Sequence, residues 1–122
     1  MTNKKRVIGD YGEDLVVEYL ERNSFQILER NFLKPYWEID IIALKGNILC
    51  FVEVKTRKND YFALAAESVD YYKRQKIIKA ANAYIMENSL GDYLMSFDVC
   101  EVYRDSGKLN YIENAFGWRK WI

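Results

Sequence analysis

Two short segments of the chain carry the residues that could do chemistry together. Asp40 follows Glu38 at a spacing of two, and Lys55 follows Glu53 at the same spacing. Residues two apart on a β-strand point to the same face, so each segment presents both of its charges on one side. Carboxylates are the ligands that a hard cation such as Mg²⁺ prefers, and an ammonium beside them can stabilise developing negative charge. This combination predicts a metal-assisted site.

A tight hairpin would bring the two segments together. Gly46 and Asn47 are a two-residue hairpin signal between two apolar runs. If these two residues form the whole loop, Asp40 lies directly opposite Glu53. At about 5 Å and an effective dielectric near 20, two facing carboxylates repel by about 3 kcal/mol. A cation between them would remove this repulsion. The other face of the hairpin is purely apolar and is predicted to be core: Ile39, Ile41, Ala43, Cys50, Val52 and Val54.

An ordinary polar hairpin edge is the alternative interpretation of the same residues. In the same register Glu38 faces Lys55, and both share the face of Asp40 and Glu53. As an exposed ion pair, Glu38 and Lys55 would contribute little to stability. A loop of odd length would also change which residues face each other. Spacing alone leaves both interpretations open.

Glu13 is a further carboxylate in an unusual place. It shares a helical face with Val16, Val17 and Leu20, at spacings of three, four and seven. A carboxylate on an apolar stripe needs a partner. The alternative is a capping box that starts at Asp10 and ends at Glu13, with Asp in the place of Ser. Spacing alone favours the cap.

The elements that must position these residues follow a simple order. Hydrophobic periodicity predicts helices at residues 7–23 and 68–88, and strands at residues 25–32, 38–44, 48–57, 94–103 and 109–116. Pro35 marks a strand boundary, residues 59–66 form a loop, and Ser68 caps the second helix. The order α-β-β-β-α-β-β predicts one α/β domain over residues 1–122, with helices packed on a single sheet.

Composition excludes several classes of protein. The 122 residues include no histidine, which excludes Ser-His-Asp and Cys-His catalysis and zinc sites that need imidazole. The 18 basic and 18 acidic residues give zero net charge, so any contact with nucleic acid must come from local clusters. Cys50 and Cys100 are predicted to be buried thiols rather than a disulfide. No apolar stretch has the length of a signal peptide or membrane span, so we expect a cytoplasmic protein without a membrane partner.

Taken in order, these segments resemble the YraN-like family of small uncharacterised proteins. That family belongs to the PD-(D/E)xK superfamily, with restriction endonucleases and archaeal Holliday-junction resolvases. The resemblance rests on Gly12 and Glu13, on residues 38–43 and 51–57, and on residues 68–69, 73–76, 97–99 and 114–116. It covers nearly the whole chain. It implies a restriction-endonuclease-like fold, with a central mixed β-sheet flanked by helices.

The resemblance also implies roles for particular residues. The catalytic set would be Glu13, Asp40, Glu53, Lys55 and Gln75. Asp40, Glu53 and the carbonyl of Val54 would be the metal ligands, with Mg²⁺ as the metal and Mn²⁺ as a substitute. Glu13 would reach the metal directly or through water, and Gln75 would match a helix glutamine of resolvase-like members. Such relatives often pair, so a homodimer is a further expectation.

The function expected from residues and resemblance together is metal-dependent endonuclease cleavage of DNA, including branched or flapped DNA. Unless a bound metal offsets their pull, two carboxylates should hold the Lys55 ammonium protonated, which favours electrostatic stabilisation as its role. Phosphate contacts are expected from Arg57, Lys58, Lys73, Arg74 and Lys76, unless the helical ones form only a solvated face. The alternatives are a catalytically idle module that binds nucleic acid and a protein-interaction domain on the same fold.

One position departs from the family pattern. Trp37 precedes Glu38 where the family usually has glycine. A bulky ring there would either narrow the entrance to the site or stack on a base.

Overall fold

The computed structural model describes residues 4–35, 37–58 and 71–116, with side chains from Tyr11 onward. Its elements are α1 (Lys4–Arg22), β1 (Gln26–Lys34), β2 (Trp37–Lys45), β3 (Ile48–Arg57), α2 (Tyr71–Glu87), β4 (Leu94–Tyr103) and β5 (Lys108–Phe116). The predicted order α-β-β-β-α-β-β is confirmed. The predicted loop at residues 59–66 and the Ser68 cap lie outside the described residues.

The five strands form one sheet in the order β1-β2-β3-β4-β5. Strands β3 and β4 are parallel, and the other three neighbouring pairs are antiparallel. Two parallel neighbours need a crossover between them, and α2 lies within that connection. The sheet is therefore mixed, as predicted, and the architecture is consistent with an α/β nuclease-like fold.

Each face of the sheet has its own hydrophobic core. On one face, which we call the α1 face, Val16 and Leu20 of α1 pack against Val52 and its neighbours. On the opposite α2 face, Ile77 and Ala81 of α2 are among the side chains that pack with Phe51 of β3. The aromatic rings of Phe51 and Phe97 stack with centroids 5.5 Å apart, and Phe97 stacks on Phe116 at 5.2 Å. The two cores fix β2 and β3 between the helices.

The hairpin register is confirmed over the half nearest its loop. The pairing runs from Lys45 opposite Ile48 to Ile41 opposite Val52. Gly46 has φ of 61°, which the first position of a type II′ hairpin turn requires and glycine readily adopts. Backbone pairing stops beyond Ile41 and Val52, so the charged residues lie where the two strands separate.

The alternation of β2 breaks at Asp40, which the sequence did not predict. Ile39 was expected to share a face with Ile41, but Ile39 packs in the α2-face core whereas Ile41 packs in the α1-face core. At the same position along β1, Asn31 has φ of 54° and is not among the backbone pairs that join β1 to β2. Strand side chains alternate only while the strand stays regular. The break turns the Asp40 side chain toward the gap between β2 and β3.

The two cysteines are free thiols, as predicted. Both are buried, and burial raises the pKa of each to about 12. Neither Cys50 nor Cys100 is therefore a nucleophile near neutral pH, since the thiolate is the reactive form. Among the described helices, none has the length and apolar character needed to cross a membrane.

Candidate metal centre

The centre of the site is a pair of carboxyl groups, Asp40 on β2 and Glu53 on β3. The two groups lie within hydrogen-bonding range of each other. Asp40 Oδ2 accepts a hydrogen bond from the Val54 backbone N–H at 2.8 Å, which satisfies a donor that the separated strands leave unpaired. Glu53 is 8% exposed, and its Oε2 is buried without a hydrogen-bond partner in the described part of the chain. A buried carboxylate oxygen without a donor fits a hard cation as its partner.

The electrostatics of this pair favour binding of a proton or a cation. Burial, and then the charge of Asp40, raise the pKa of Glu53 to about 9. Burial also raises the pKa of Asp40, against the Val54 hydrogen bond and the charge of Lys55, which lower it. Two carboxyls in contact titrate as a unit, because both cannot easily be charged at once. The metal-free pair therefore holds a proton near neutral pH, and a divalent cation would replace that proton.

Lys55 lies beside the carboxyl pair, half-buried on β3. Burial lowers the pKa of Lys55, and so do the hydrogen bond and positive charge of Lys73 on α2. The carboxyls of Glu53 and Asp40 act in the opposite direction and are outweighed. The two carboxyls thus favour the protonated form of Lys55, as expected, although burial and Lys73 lower its pKa overall. The second ammonium comes from α2, and after burial it is the next cause of the lowered pKa of Lys55.

Glu13 reaches the site from α1. The helix begins at Lys4, so Asp10 and Glu13 lie well inside it and the capping box is wrong. Glu13 is only 8% exposed, and Arg30 Nη2 lies 3.5 Å from its Oε1. The Asn31 amide, oriented to satisfy its neighbours, donates to both Glu13 oxygens at 3.2 and 3.1 Å. The carboxylate on the apolar stripe thus has polar partners on β1.

Glu38 joins Glu13 and Asp40 in a cluster of carboxylates. One oxygen from each of the three lies within 4.8 Å of the others. The same Asn31 amide donates to Glu38 Oε1 at 2.9 Å. Asp40 also lies within hydrogen-bonding range of Glu53, so it connects this cluster to the carboxyl pair. The structure therefore brings Glu38 together with Asp40 and with Glu13, whereas the expected pair of Glu38 and Lys55 is not among the described pairs of β2 and β3.

A glycine allows α1 to approach the sheet at this level. A Cβ on Gly12 would lie 2.3 Å from Thr56 Oγ1 and 3.6 Å from Val54 Cγ1. Any other residue at this position would force the Thr56 side chain or α1 itself to shift. The close approach places Glu13, the next residue along, over the site.

Two residues implied by the resemblance have a weaker structural basis. Gln75 is half-buried on α2, two residues after Lys73, and makes no hydrogen bond within the described ranges. The Val54 backbone contributes its N–H to Asp40. Roles for the Gln75 amide and for the Val54 carbonyl as a metal ligand stay predictions.

The residues expected to contact phosphate are divided among different environments. The guanidinium of Arg57 is paired with buried Glu101, and that of Arg74 lies 5.7 Å from the centre of the Phe116 ring. Lys58 is exposed at the end of β3, whereas Lys73 reaches Lys55. Lys76 is exposed and lies 5.7 Å from the centre of the Trp37 ring. The structure therefore leaves Lys58 and Lys76 as the exposed cations of the predicted set.

Sequence reasoning missed Glu101 of β4. It is 1% exposed and accepts hydrogen bonds from Arg57 Nε at 2.9 Å, Tyr103 Oη at 3.0 Å and Asn110 Nδ2 at 3.0 Å. Burial alone would raise the pKa of Glu101, but these three donors together lower it. In the parallel ladder Glu101 pairs with Lys55. The sequence does contain a sign of this buried carboxylate, because Glu101 lies between apolar neighbours in a central strand. A charged residue in such a place is buried only with partners, so burial could have identified it.

Asp98 is a second buried carboxylate outside the site. It accepts hydrogen bonds from Ser96 Oγ at 2.5 Å, from the Asn114 backbone N–H at 2.9 Å and from the Tyr111 hydroxyl. Burial and the charge of Asp98 raise the pKa of Tyr111 far above its usual value. These bonds hold β5 against β4, so the role of Asp98 is structural.

Comparison with known proteins gives a consistent result. The model of the uncharacterised protein family UPF0102 matches residues 12–102. A UPF0102 protein of Caldanaerobacter subterraneus subsp. tengcongensis is 44% identical over 117 residues, covering 92% of this chain and 96% of that protein. A UPF0102 protein of Clostridioides difficile is 45% identical over 116 residues, covering 95% and 100% of the two chains. The resemblance to the YraN-like family is thereby confirmed.

Proposed function

The chain belongs to the uncharacterised protein family UPF0102, and we propose that it is a metal-dependent endonuclease that hydrolyses phosphodiester bonds in DNA. One observation carries the proposal: Glu53 presents a buried oxygen without a hydrogen-bond donor beside Asp40, with Lys55 next to both. A pair of carboxyls that favours a proton or a cation is costly to maintain in a purely structural hairpin. The same pair is useful in a site that binds a divalent metal.

Asp40 and Glu53 would hold the metal, because their oxygens meet where β2 and β3 separate. The donor set consists of oxygen atoms only, which suits Mg²⁺ or Mn²⁺ rather than zinc or copper. When bound, such an ion would activate water and offset negative charge on the phosphate. The unpaired Glu53 oxygen is the feature of the chain that fits it.

The chain's own groups have separate tasks in this proposal. Lys55 supplies a positive charge to the phosphate, and its lowered pKa also lets it exchange a proton more readily than an exposed lysine. Lys73 adds a second cation at the same point on α2. Glu13 and Glu38 give further carboxylate oxygens on the α1 side, where they can order water. The Val54 N–H holds Asp40 in place.

The test is cleavage of labelled linear, flapped and four-way DNA by the purified full chain with Mg²⁺ or Mn²⁺. We expect cutting that needs the metal and is lost in Asp40→Ala and in Lys55→Ala. Removing one stabilising group from such a site typically costs about 100-fold or more in rate. Lys45→Ala is the matched control. Lys45 is exposed at the end of β2, next to the hairpin loop and away from Lys55, so this variant should cut like the wild type.

Two results would contradict the proposal. One is the absence of metal-dependent cutting of every substrate by the wild type. The other is equal cutting by wild type and Lys55→Ala, which would identify a contaminating nuclease. DNA binding that survives both substitutions without cleavage would favour the idle binding module instead.

A further inference from the structure

A groove next to the metal centre combines an aromatic ring with several lysines. It lies between the start of β2 and α2 and encloses about 230 Å³. Trp37 forms one side, and Lys34, Lys76 and Lys79 lie around it. Its volume is below the roughly 300–1,000 Å³ of a pocket for a whole drug-sized ligand, so one flat ring system suits it better.

Charges around the groove fit an anionic partner. Lys34 forms an ion pair with Glu87, but the exposed Lys76 and Lys79 form no ion pair within the described part of the chain. Lys73, Lys76 and Lys79 follow each other at spacings of three along α2. At 1.5 Å per residue they span about 9 Å, which is long enough to follow more than one phosphate of a strand.

Lys73 connects the groove to the metal centre. Its Nζ lies 5.6 Å from the centre of the Trp37 ring and within hydrogen-bonding range of Lys55. The groove therefore begins where the scissile phosphate of the proposed reaction would lie. A strand that places one phosphate at Lys55 would pass its neighbouring nucleotide over Trp37.

We propose that this groove binds an unpaired nucleotide next to the scissile phosphate, with its base on the Trp37 ring and its phosphates on Lys76 and Lys79. The inference rests on the proposed function in taking nucleic acid as the ligand. The Lys76 ammonium, which lies 5.7 Å from the ring centre, would move to a phosphate of this nucleotide, and the Lys73 ammonium, at 5.6 Å, would move to the scissile phosphate beside Lys55. The ring face would then be free for the base, as on the aromatic platforms of single-strand binders.

The position of the Trp37 ring is not explained by its hydrogen bonding. Its Nε1 is buried and has no acceptor among the described residues. Since an unsatisfied buried donor is unfavourable, a phenylalanine should be tolerated in this place. Trp37→Phe therefore keeps an aromatic face and removes the unsatisfied donor, which makes it a matched variant for Trp37→Leu.

The experiment is binding of a fluorescent single-stranded oligonucleotide and of a blunt duplex to the full chain in EDTA, where cutting is prevented. We expect the single strand to bind more tightly than the duplex, because only an unpaired base can stack on the Trp37 ring. Trp37→Leu should lose about five- to 150-fold in affinity for the single strand, the range that loss of one stacked base predicts, and change duplex binding little. Trp37→Phe should stay near wild type. Tyr93→Leu, an exposed aromatic on the connection before β4, is the control and should have no effect.

A second variant tests the groove without changing a residue that packs in the core. Lys79 is exposed, so Lys79→Gln should leave stability unchanged while it weakens single-strand binding and lowers the salt dependence of log K by about one unit. A 2-aminopurine base in the strand should lose fluorescence on wild type and Trp37→Phe but not on Trp37→Leu.

The inference is overturned if Trp37→Leu binds the single strand as the wild type does, or weakens single-strand and duplex binding equally. Metal-dependent cutting that is indifferent to Trp37 would overturn this subsite and leave the proposed nuclease intact. Single-strand binding that depends on Trp37, in a protein that never cuts, would support the subsite and contradict the nuclease. The two proposals can therefore fail separately.

Discussion

Replacing Glu53 by glutamine should make the metal-free protein more stable at alkaline pH. In the folded protein, burial and the charge of Asp40 raise the pKa of Glu53 from 4.5 to about 9. The unfolded chain loses this proton near pH 4.5, whereas the folded chain keeps it until about pH 9. Between these values the folded state binds one more proton than the unfolded state, so its stability falls as pH rises. Asp40 is shifted in the same direction and adds to the effect.

The size of the stability loss follows from the slope of the unfolding free energy against pH. One proton corresponds to about 1.4 kcal/mol per pH unit, so the titration of Glu53 by itself should lower the free energy of unfolding of the wild type by about 4 kcal/mol from pH 5 to pH 8. For a domain whose total stability is of the order of 5–15 kcal/mol, this is a large fraction. A glutamine at position 53 stays neutral at every pH and should remove most of the slope.

The assay is urea unfolding at pH 5, 6, 7 and 8, in EDTA and with saturating Mg²⁺. In EDTA we expect the wild type to lose stability across this range and Glu53→Gln to lose much less. Mg²⁺ should recover stability at pH 8 in the wild type only, since ligands that bind the folded state stabilise it. Glu29→Gln, an exposed glutamate on β1, is the control and should behave like the wild type. Equal slopes in the wild type and Glu53→Gln would refute the reasoning.

Three further predictions concern the supports of the site. A change from glycine to alanine normally stabilises a helix by about 1 kcal/mol, but the contact with Thr56 Oγ1 should make Gly12→Ala destabilising by about 1–3 kcal/mol in urea unfolding. Adding Thr56→Ala should recover part of the lost stability. A Gly12→Ala variant as stable as the wild type would contradict the close approach of α1 to Thr56. Glu101→Gln removes the charged partner of the partly exposed Arg57, and we expect the free energy of unfolding to fall by about 2 kcal/mol in the same measurement. Unchanged stability would show that the ion pair contributes nothing. Asp98→Ala leaves hydrogen-bond donors of β5 unpaired and should lower the free energy of unfolding by about 2–4 kcal/mol. In this variant, amide hydrogen exchange should be faster in β5 than in β1. Equal exchange in both strands would argue that Asp98 does not hold β5 in place.

The parts of the fold that depend on local sequence could be predicted. Alternating apolar residues and the Gly46-Asn47 loop are signals within one hairpin, and they gave the element order and the register from Lys45 opposite Ile48 to Ile41 opposite Val52. The convergence of Asp40 and Glu53 followed from that register. No distant part of the chain is needed for these conclusions.

The features of the site that the sequence did not predict depend on contacts between distant segments of the chain. The break at Asp40 coincides with the unusual backbone of Asn31 on the neighbouring strand, and periodicity in β2 alone cannot show it. Lys73, which together with burial lowers the pKa of Lys55, is brought by α2 from eighteen positions away. Glu101 could be placed beside Lys55 only once the parallel register of β3 and β4 was known.

Binding of Mn²⁺ to the full chain, measured by calorimetry at pH 7, tests the metal centre most directly. The structure predicts that the wild type binds the ion and releases protons to the buffer, because the carboxyl pair holds one before the metal arrives. Asp40→Ala and Glu53→Gln should abolish both the heat of binding and the proton release, while Glu29→Gln should keep them. A wild type that binds no Mn²⁺, or that binds it as well as Glu53→Gln does, would contradict the assignment of Asp40 and Glu53 as a metal site.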